Sequence, residues 1–273
     1  MNWNKILLKQ LILICVAAIF LAGCSSSEEP EEEQWELVWS DEFDGTAGVV
    51  PDSTKWAFDI GTDWGNAQLE YDTNRPENAS LDGQGNLAIV ARAESFQGRS
   101  YTSARIVTKD LFERTYGRFE ARMRLPWGQG IWPAFWLLGA NIDDVGWPLC
   151  GEIDIMEYRG QEPARIHGSL HGPGYSGGQP VTEQYNLVND RFDTGFHVFS
   201  VEWDANSIKW FVDGNLYQAV KSTDLPGEWV FDHPFFIILN LAVGGNYVGS
   251  PNASTVFPQT MLIDYVRVYK AAN

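Results

Sequence analysis

Short segments in which apolar and polar side chains alternate recur along most of this 273-residue chain. Turn residues separate them, as at Asp213-Gly214 and Gly244-Gly245, and no long stretch keeps the period of a helix. Many short strands with such turns indicate a β-sandwich or a β-barrel. We therefore predict an all-β fold in which two sheets form a sandwich. The alternating segments include 86–91, 117–125, 196–203, 208–212, 235–241 and 261–269.

The amino-terminal residues have the character of a targeting segment. Lys5 and Lys9 precede an apolar run at 11–21, which is too short for a comfortable membrane span of about 20 residues. We interpret residues 1–23 as a secretion signal. The run ends in Leu-Ala-Gly before Cys24, which resembles a bacterial lipobox and implies cleavage before Cys24 and lipidation of its thiol. An ordinary signal peptide with an incidental cysteine is the alternative.

Residues 24–34 are predicted to be an acidic Ser/Glu/Pro tether, because five glutamates and almost no apolar side chains cannot form a core. Residues 35–273, the predicted catalytic domain, then carry 17 basic and 31 acidic residues. This acidic balance argues against nucleic acid or an anionic polymer as the partner and is compatible with a neutral polymer. Cys150 is the third cysteine and is predicted to be a buried structural thiol.

Three carboxylates fall within six residues, at Glu152, Asp154 and Glu157. Side chains on a strand alternate between its faces, so Glu152 and Asp154 point one way and the intervening isoleucines the other. Strict alternation would send Glu157 to the isoleucine face, but a β-bulge near Met156 would return it to the acids. The motif predicts a strand that presents three acids on one face.

This spacing is suited to glycoside hydrolysis. With the bulge, the Cα atoms of Glu152 and Glu157 would lie roughly 13 Å apart, and their side chains could close this to about 5–6 Å. Retaining glycosidases hold two carboxyl groups about 5–5.5 Å apart, one as nucleophile and one as acid. Asp154 between them would raise at least one pKa, because crowded carboxylates resist ionising together. An exposed acidic strand face is the alternative.

The sequence Glu-Ile-Asp-Ile-Met-Glu at 152–157 closely resembles the active-site signature of family-16 glycoside hydrolases, in the form with the extra residue typical of laminarinases. The similarity extends over about 39–269. It implies a β-jelly roll of two bent antiparallel sheets with a substrate cleft across the concave face. It also implies that Glu152 is the nucleophile, Asp154 the assisting acid and Glu157 the acid/base.

Aromatic residues support a sugar-binding cleft. The chain has twelve tryptophans, and Trp132 and Trp136 lie shortly before the acids, four residues apart and so on one strand face. Indoles stack on the apolar faces of sugar rings. Either the tryptophans or Phe135 and Leu137 face the core. The resemblance implies that both tryptophans stack on sugar.

The resemblance implies further substrate contacts, of which those in the loop at 64–71 lie in a segment that departs from the commoner family form. Asn66 and Glu70 are candidate binders of sugar hydroxyls. Arg105 would hydrogen-bond the sugar, with a surface ion pair as the alternative. His171 would lie on the leaving-group side within reach of Glu157. His167 is either part of this strand's cleft face or a core histidine.

The resemblance also implies one structural calcium ion on the convex face, bound by backbone oxygens near the start of the domain and an aspartate near its end. Glu42 and Asp264 match those segments. We expect no cofactor for catalysis.

The function expected from these features is endo-cleavage of β-1,3-glucan with retention of anomeric configuration, by a monomer that is anchored to the cell envelope through a lipid or secreted. Mixed-linkage β-1,3-1,4-glucanase activity is the first alternative, and a galactan hydrolase ranks below it. A glycan-binding lipoprotein without catalysis is the rival of another class, although a pure binder would not need three crowded acids.

Overall fold

The computed structural model describes residues 34–272. The predicted signal, Cys24 and nearly all of the predicted tether lie outside the described residues. Among the described residues, no helix is both long enough and apolar enough to cross a membrane.

The first of two sheets consists, within residues 34–272, of β1 (Trp35–Asp41), β3 (Glu70–Asp72), β4 (Ala79–Leu81), β5 (Leu87–Phe96), β6 (Arg99–Ser103), β9 (Gly117–Arg124), β14 (His197–Trp203), β15 (Ser207–Val212), β16 (Asn215–Lys221) and β18 (Gln259–Ala271). These strands follow the order β16-β15-β14-β9-β18-β5-β6-β3, with β1 paired to β18 and β4 paired to β5. All pairs are antiparallel except β3 with β6.

The second sheet carries the acidic motif and consists of β2 (Ala57–Phe58), β7 (Arg105–Val107), β8 (Glu113–Arg114), β10 (Ile131–Gly139), β11 (Glu152–Tyr158), β12 (Arg165–His171), β13 (Val181–Asn186) and β17 (Phe235–Val243). These strands follow the order β13-β12-β11-β10-β17-β7-β2, with β8 paired to β17. A short helix, α1 (Ile142–Val145), lies between β10 and β11, and a 3₁₀ turn spans Ser222–Asp224.

The two sheets pack face to face around one large apolar core, which confirms the predicted sandwich. Alternation along β10 sends Phe135 and Leu137 into this core. Trp132 and Trp136 therefore lie on the outer face of the second sheet, which we call the groove face, and the alternative left open by the sequence is resolved. Burial of each large inward side chain contributes about 1.5–3 kcal/mol.

Candidate active site

The acidic strand β11 contains the predicted β-bulge. Along the neighbouring strand β12, Asp154 faces Ser169 and Glu157 faces His167, so Gly168 alone lies opposite two residues of β11. This is the two-against-one arrangement of a bulge, and the bulged strand bends there. The prediction of a bulge near Met156 is confirmed.

The bulge changes which way the following side chains point. Ile155 and Met156 are consecutive, yet both are buried in the core between the sheets. The register is thereby advanced by one residue, and Glu157 returns to the groove face with Glu152 and Asp154. Three acids that strict alternation would divide between the two faces therefore share one face.

An indole from the opposite sheet supports the bulge. The Nε1–H of Trp210, a fully buried residue of β15, donates to the backbone carbonyl of Asp154 at 2.8 Å. The same ring occupies the space beside Gly168, where an added Cβ would lie 2.6 Å from Trp210 Cδ1 and would also collide with the Tyr217 hydroxyl. Position 168 therefore has to be glycine. The backbone carbonyl of Asp154, which lies at the bulge, has the buried hydrogen-bond partner that it requires.

Each of the two outer acids accepts a hydrogen bond from an indole. Trp132 Nε1–H donates to Glu157 Oε1 at 3.2 Å, and Trp147 Nε1–H donates to Glu152 Oε2 at 2.7 Å. Trp132 is only 8% exposed and packs against Tyr247, with ring centroids 5.0 Å apart. Trp147 is 47% exposed and borders the groove. One oxygen of each acid is thus fixed, and the other is left for a substrate.

His171 lies on the nucleophile side of the motif. Its Nε2 is 3.2 Å from Asp154 Oδ2 and 3.9 Å from Glu152 Oε1. The predicted position of His171 on the leaving-group side is wrong, because the antiparallel register pairs His171 with Glu152 and places His167 opposite Glu157. His167 is partly buried on the groove face, where its Nδ1 hydrogen-bonds the Tyr247 hydroxyl at 2.9 Å.

Burial raises the pKa of all three acids, and their mutual repulsion adds to the effect for the outer two. The pKa of Glu152 is raised to about 8 by burial and by Asp154, and that of Asp154 to about 7 by burial. The pKa of Glu157 lies well above its ordinary value because of burial, then Asp154 and Glu152. The three groups cannot all ionise near neutral pH, so the site retains protons that they share.

A stacked arginine forms one wall of the groove. The Arg105 guanidinium lies 4.7 Å from the ring centroid of Trp64 and 4.9 Å from that of Trp136, and its Nε donates to Asp59 at 2.9 Å. Trp136 donates in turn to Asn240 Oδ1 at 2.8 Å. Arg105 therefore makes the ion pair named as its alternative role, and it also lines the predicted cleft beside Trp136.

Asn66 and Glu70 occupy different environments. Asn66 is exposed, and its carbonyl accepts the Asn246 N–H at 2.9 Å in a loop that lies against the Trp132 end of the groove. Glu70 is 1% exposed, and its Oε2 accepts the Val243 N–H at 2.8 Å. The prediction that Glu70 binds sugar hydroxyls is not compatible with this position, because alternation on β3 turns its side chain inward.

Glu70 gives rise to a prediction about stability at alkaline pH. Burial and neighbouring Asp72 raise its pKa from 4.5 to about 8. Because the folded chain holds this proton more tightly, the contribution to stability is fully present below pH 4.5 and is lost as the pH rises through about 8. We expect Glu70→Gln to gain up to about 4 kcal/mol relative to the parent between pH 5 and pH 9, because each unit of pKa shift corresponds to about 1.4 kcal/mol.

Thermal unfolding monitored by circular dichroism at several pH values measures this effect. Glu183→Gln, at an exposed position of β13, serves as the matched control and should show no such pH dependence. A Glu70→Gln variant whose melting temperature falls with pH as steeply as that of the parent would contradict the explanation.

The two residues that match the expected calcium-binding segments, Glu42 and Asp264, both have arginine partners. Glu42 accepts a two-pronged bond from Arg267 at 2.8 and 3.0 Å, and Asp264 pairs with Arg122 at 2.5 Å. Arg122 therefore competes with calcium for the Asp264 carboxylate, the side-chain ligand expected in a site of six to eight oxygens, whereas the ligands expected near Glu42 are backbone oxygens that its pairing with Arg267 does not involve. We expect equal melting temperatures in calcium and in a chelator, and a rise with calcium would restore the prediction.

Sequence reasoning missed several residues that shape the groove, among them Trp147, Asn240 and Tyr247. A signal existed for two of them. Trp147 precedes Glu152 by only five residues, and Asn240 is the single polar residue in the otherwise apolar strand β17. Tyr247 follows a double-glycine turn and has no comparable signal.

Comparisons with known proteins agree with this geometry. Residues 60–267 match the model of the family described as Glycosyl hydrolases family 16. The chain is 41% identical to the beta-glucanase of Rhodothermus marinus over 284 residues, covering 99% of this chain and 97% of that protein. It is 33% identical to the endo-1,3-1,4-beta-glycanase ExsH of Rhizobium meliloti over 250 residues, covering 85% of this chain and 51% of that protein.

The laminarinase catalytic domain of Thermotoga maritima MSB8 superimposes with a TM-score of 0.83 at 49% identity, covering 88% of this chain and 100% of that domain. The match in sequence and in structure spans both sheets and the acidic strand. This chain is a glycoside hydrolase and belongs to family 16 of the glycosyl hydrolases.

Proposed function

We propose that this chain is a retaining endo-β-1,3-glucanase in which Glu152 is the nucleophile and Glu157 the acid/base. The observation that carries the proposal is the bulge, which brings both glutamates and Asp154 to one face of β11. Glu152 Oε1 attacks the anomeric carbon while Glu157 gives its proton to the departing glycosidic oxygen. The glycosidic C–O bond breaks, and a covalent glycosyl-enzyme ester forms at Glu152.

The second step restores the enzyme. Glu157, now a carboxylate, takes a proton from water as that water attacks the anomeric carbon. The ester bond to Glu152 breaks, and the sugar leaves with its original configuration. Asp154 supports both steps because it holds the proton that it shares with Glu152 while the Glu152 carboxylate attacks, and shares it again once the ester bond breaks.

The preference for β-1,3 linkages is supported by likeness to solved laminarinases, of which the Thermotoga maritima domain shares 49% identity. Mixed-linkage β-1,3-1,4-glucan is the second candidate substrate, and the 33% identity with ExsH favours keeping it. A binding protein without catalysis is disfavoured, because buried carboxylates that repel one another are costly and bring no benefit to binding alone.

Incubation with laminarin, lichenan and agarose, followed by a reducing-sugar assay, tests the proposed substrate. We expect laminarin to be cleaved most rapidly. Faster release from lichenan would favour the mixed-linkage alternative, and no release from any of the three would favour a binding protein. Proton NMR of the first products tests the stereochemistry, since an inverted anomer would exclude the covalent route.

The indole of Trp147 is expected to tune the nucleophile. Its N–H donates to Glu152 and stabilises the ionised form, which lowers the pKa of that group. Trp147→Phe removes this bond to a charged group, so we expect a rate loss of about tenfold or more. The acidic limb of the pH–rate profile should also move upward, by about one unit.

The control for this experiment is Trp127→Phe, which changes another half-exposed tryptophan away from the acids. That variant should keep both the rate and the profile of the parent. If the Trp147→Phe enzyme is slower but the acidic limb of its pH–rate profile is unchanged, Trp147 shapes the groove and does not set the pKa of Glu152.

We also propose that the protein is exported and anchored through a lipid on Cys24, which lies outside the described residues. The support is the sequence pattern around Cys24. Mass spectrometry of the membrane fraction tests it, and an unmodified Cys24 there would exclude lipidation.

A further inference from the structure

One cluster of side chains at the nucleophile end of the groove has the composition of a metal site. Within the part of the chain that the structure describes, a single group of three potential metal ligands converges, formed by Glu152, Asp154 and His171. One ligand atom of each lies within 4.8 Å of those of the other two. We propose that these three residues bind a divalent transition-metal cation such as Zn²⁺, and that the bound metal blocks the nucleophile.

One buried carboxylate oxygen of this cluster lacks a hydrogen-bond partner. Asp154 is 2% exposed, and its Oδ2 accepts no hydrogen bond within residues 34–272. That oxygen faces His171 Nε2 at 3.2 Å, outside hydrogen-bond geometry. A buried carboxylate oxygen without a partner is costly, and a cation between it and the imidazole would satisfy both groups.

The third ligand is already oriented. Trp147 holds Glu152 Oε2 at 2.7 Å, so Oε1, which lies 3.9 Å from His171 Nε2, is the oxygen that remains for a cation. Glu152 is partly exposed to the groove and provides a route from solvent. A bound metal would occupy the oxygen that has to attack the sugar.

The ligand types select the class of metal. An imidazole with two carboxylates suits zinc, copper and related ions, whereas calcium and magnesium prefer sets of oxygen ligands. Binding replaces the repulsion between two neighbouring carboxylates with their attraction to the cation. Binding stands independently of the reaction, whereas inhibition rests on the proposed function.

Electron paramagnetic resonance of the full chain with one equivalent of Cu²⁺ tests the site directly. We expect hyperfine coupling to one nitrogen, and its loss in His171→Asn. Isothermal calorimetry with Zn²⁺ should show affinity at least tenfold lower in His171→Asn and in Asp154→Asn. His233→Asn, which changes a histidine stacked on Phe235 outside the cluster, should behave like the parent.

If a metal at this site blocks Glu152, Zn²⁺ should inhibit glucan cleavage competitively, and Ca²⁺ should not inhibit it. An unchanged copper signal and unchanged zinc affinity in His171→Asn would overturn the proposal, as would equal affinity of the parent for Zn²⁺ and Ca²⁺. Near-ultraviolet circular dichroism of each variant separates loss of the ligand from loss of the fold. Metal bound through His171 by a chain that cleaves no glucan would support the site and reject the proposed function instead.

Discussion

Replacing Glu152 with Gln is expected to lower glucan turnover on the order of 10⁴-fold or more, because an amide oxygen cannot form the glycosyl-enzyme ester. The substitution keeps the shape of the side chain and an oxygen that can accept from Trp147 Nε1–H, so the groove should remain intact. Calorimetric titration with a β-1,3-gluco-oligosaccharide should therefore give binding close to that of the parent.

The matched control for this experiment is Glu162→Gln, which changes a glutamate that pairs with Arg159 and Arg165 on the loop after β11. That variant should keep the activity of the parent. Near-normal turnover by Glu152→Gln would remove the nucleophile from the scheme, and loss of both binding and turnover would indicate a collapsed groove.

Glu157→Gln is expected to lower turnover of glucan by about 10²–10⁴-fold, because proton donation to the leaving oxygen is lost. A β-linked oligosaccharide with a dinitrophenolate leaving group needs no such proton. With this substrate we expect a burst of dinitrophenolate followed by a slow phase, since the trapped ester must wait for water that no base activates.

Azide distinguishes the two glutamates. As an anion it needs no base, so it should accelerate the slow phase of Glu157→Gln and yield a β-glycosyl azide. The parent should show no acceleration. An α-glycosyl azide from Glu157→Gln would mean that the two glutamates have exchanged roles.

Much of the fold could be predicted from the local sequence pattern, because apolar and polar side chains alternate along a strand that has one buried and one exposed face. The segments 117–125 and 261–269 proved to be strands β9 and β18 within a residue or two. The direction of Trp132 and Trp136 could not be decided, since β10 is apolar on both faces. Only the packing of the opposite sheet shows which face is the core.

The sequence predicted the three acids and the bulge that brings them together, but not the positions of the other side chains around them. The acids at 152, 154 and 157 point to one face only if a β-bulge adds one residue between them. The bulge could be predicted because glycoside hydrolysis requires two carboxyl groups on the same face. Glu70 was misplaced because a charged residue on a short strand is ordinarily exposed, whereas this one is buried and accepts the Val243 N–H of β17. His171 was misplaced because the register between β11 and β12, which the turn at 159–164 connects, cannot be predicted from the residue types alone.

The indole of Trp210 makes the first sheet a component of the catalytic apparatus. It donates to the Asp154 carbonyl from the far side of the sandwich and fills the space that Gly168 leaves open. The acidic strand therefore cannot be transferred alone to another β-sandwich. Without a buried indole in the place of Trp210, we expect the strand to lose its bulge, so that its side chains alternate regularly and Glu157 points away from Glu152. Positions 168 and 210 should accordingly be treated as a single unit when such enzymes are redesigned.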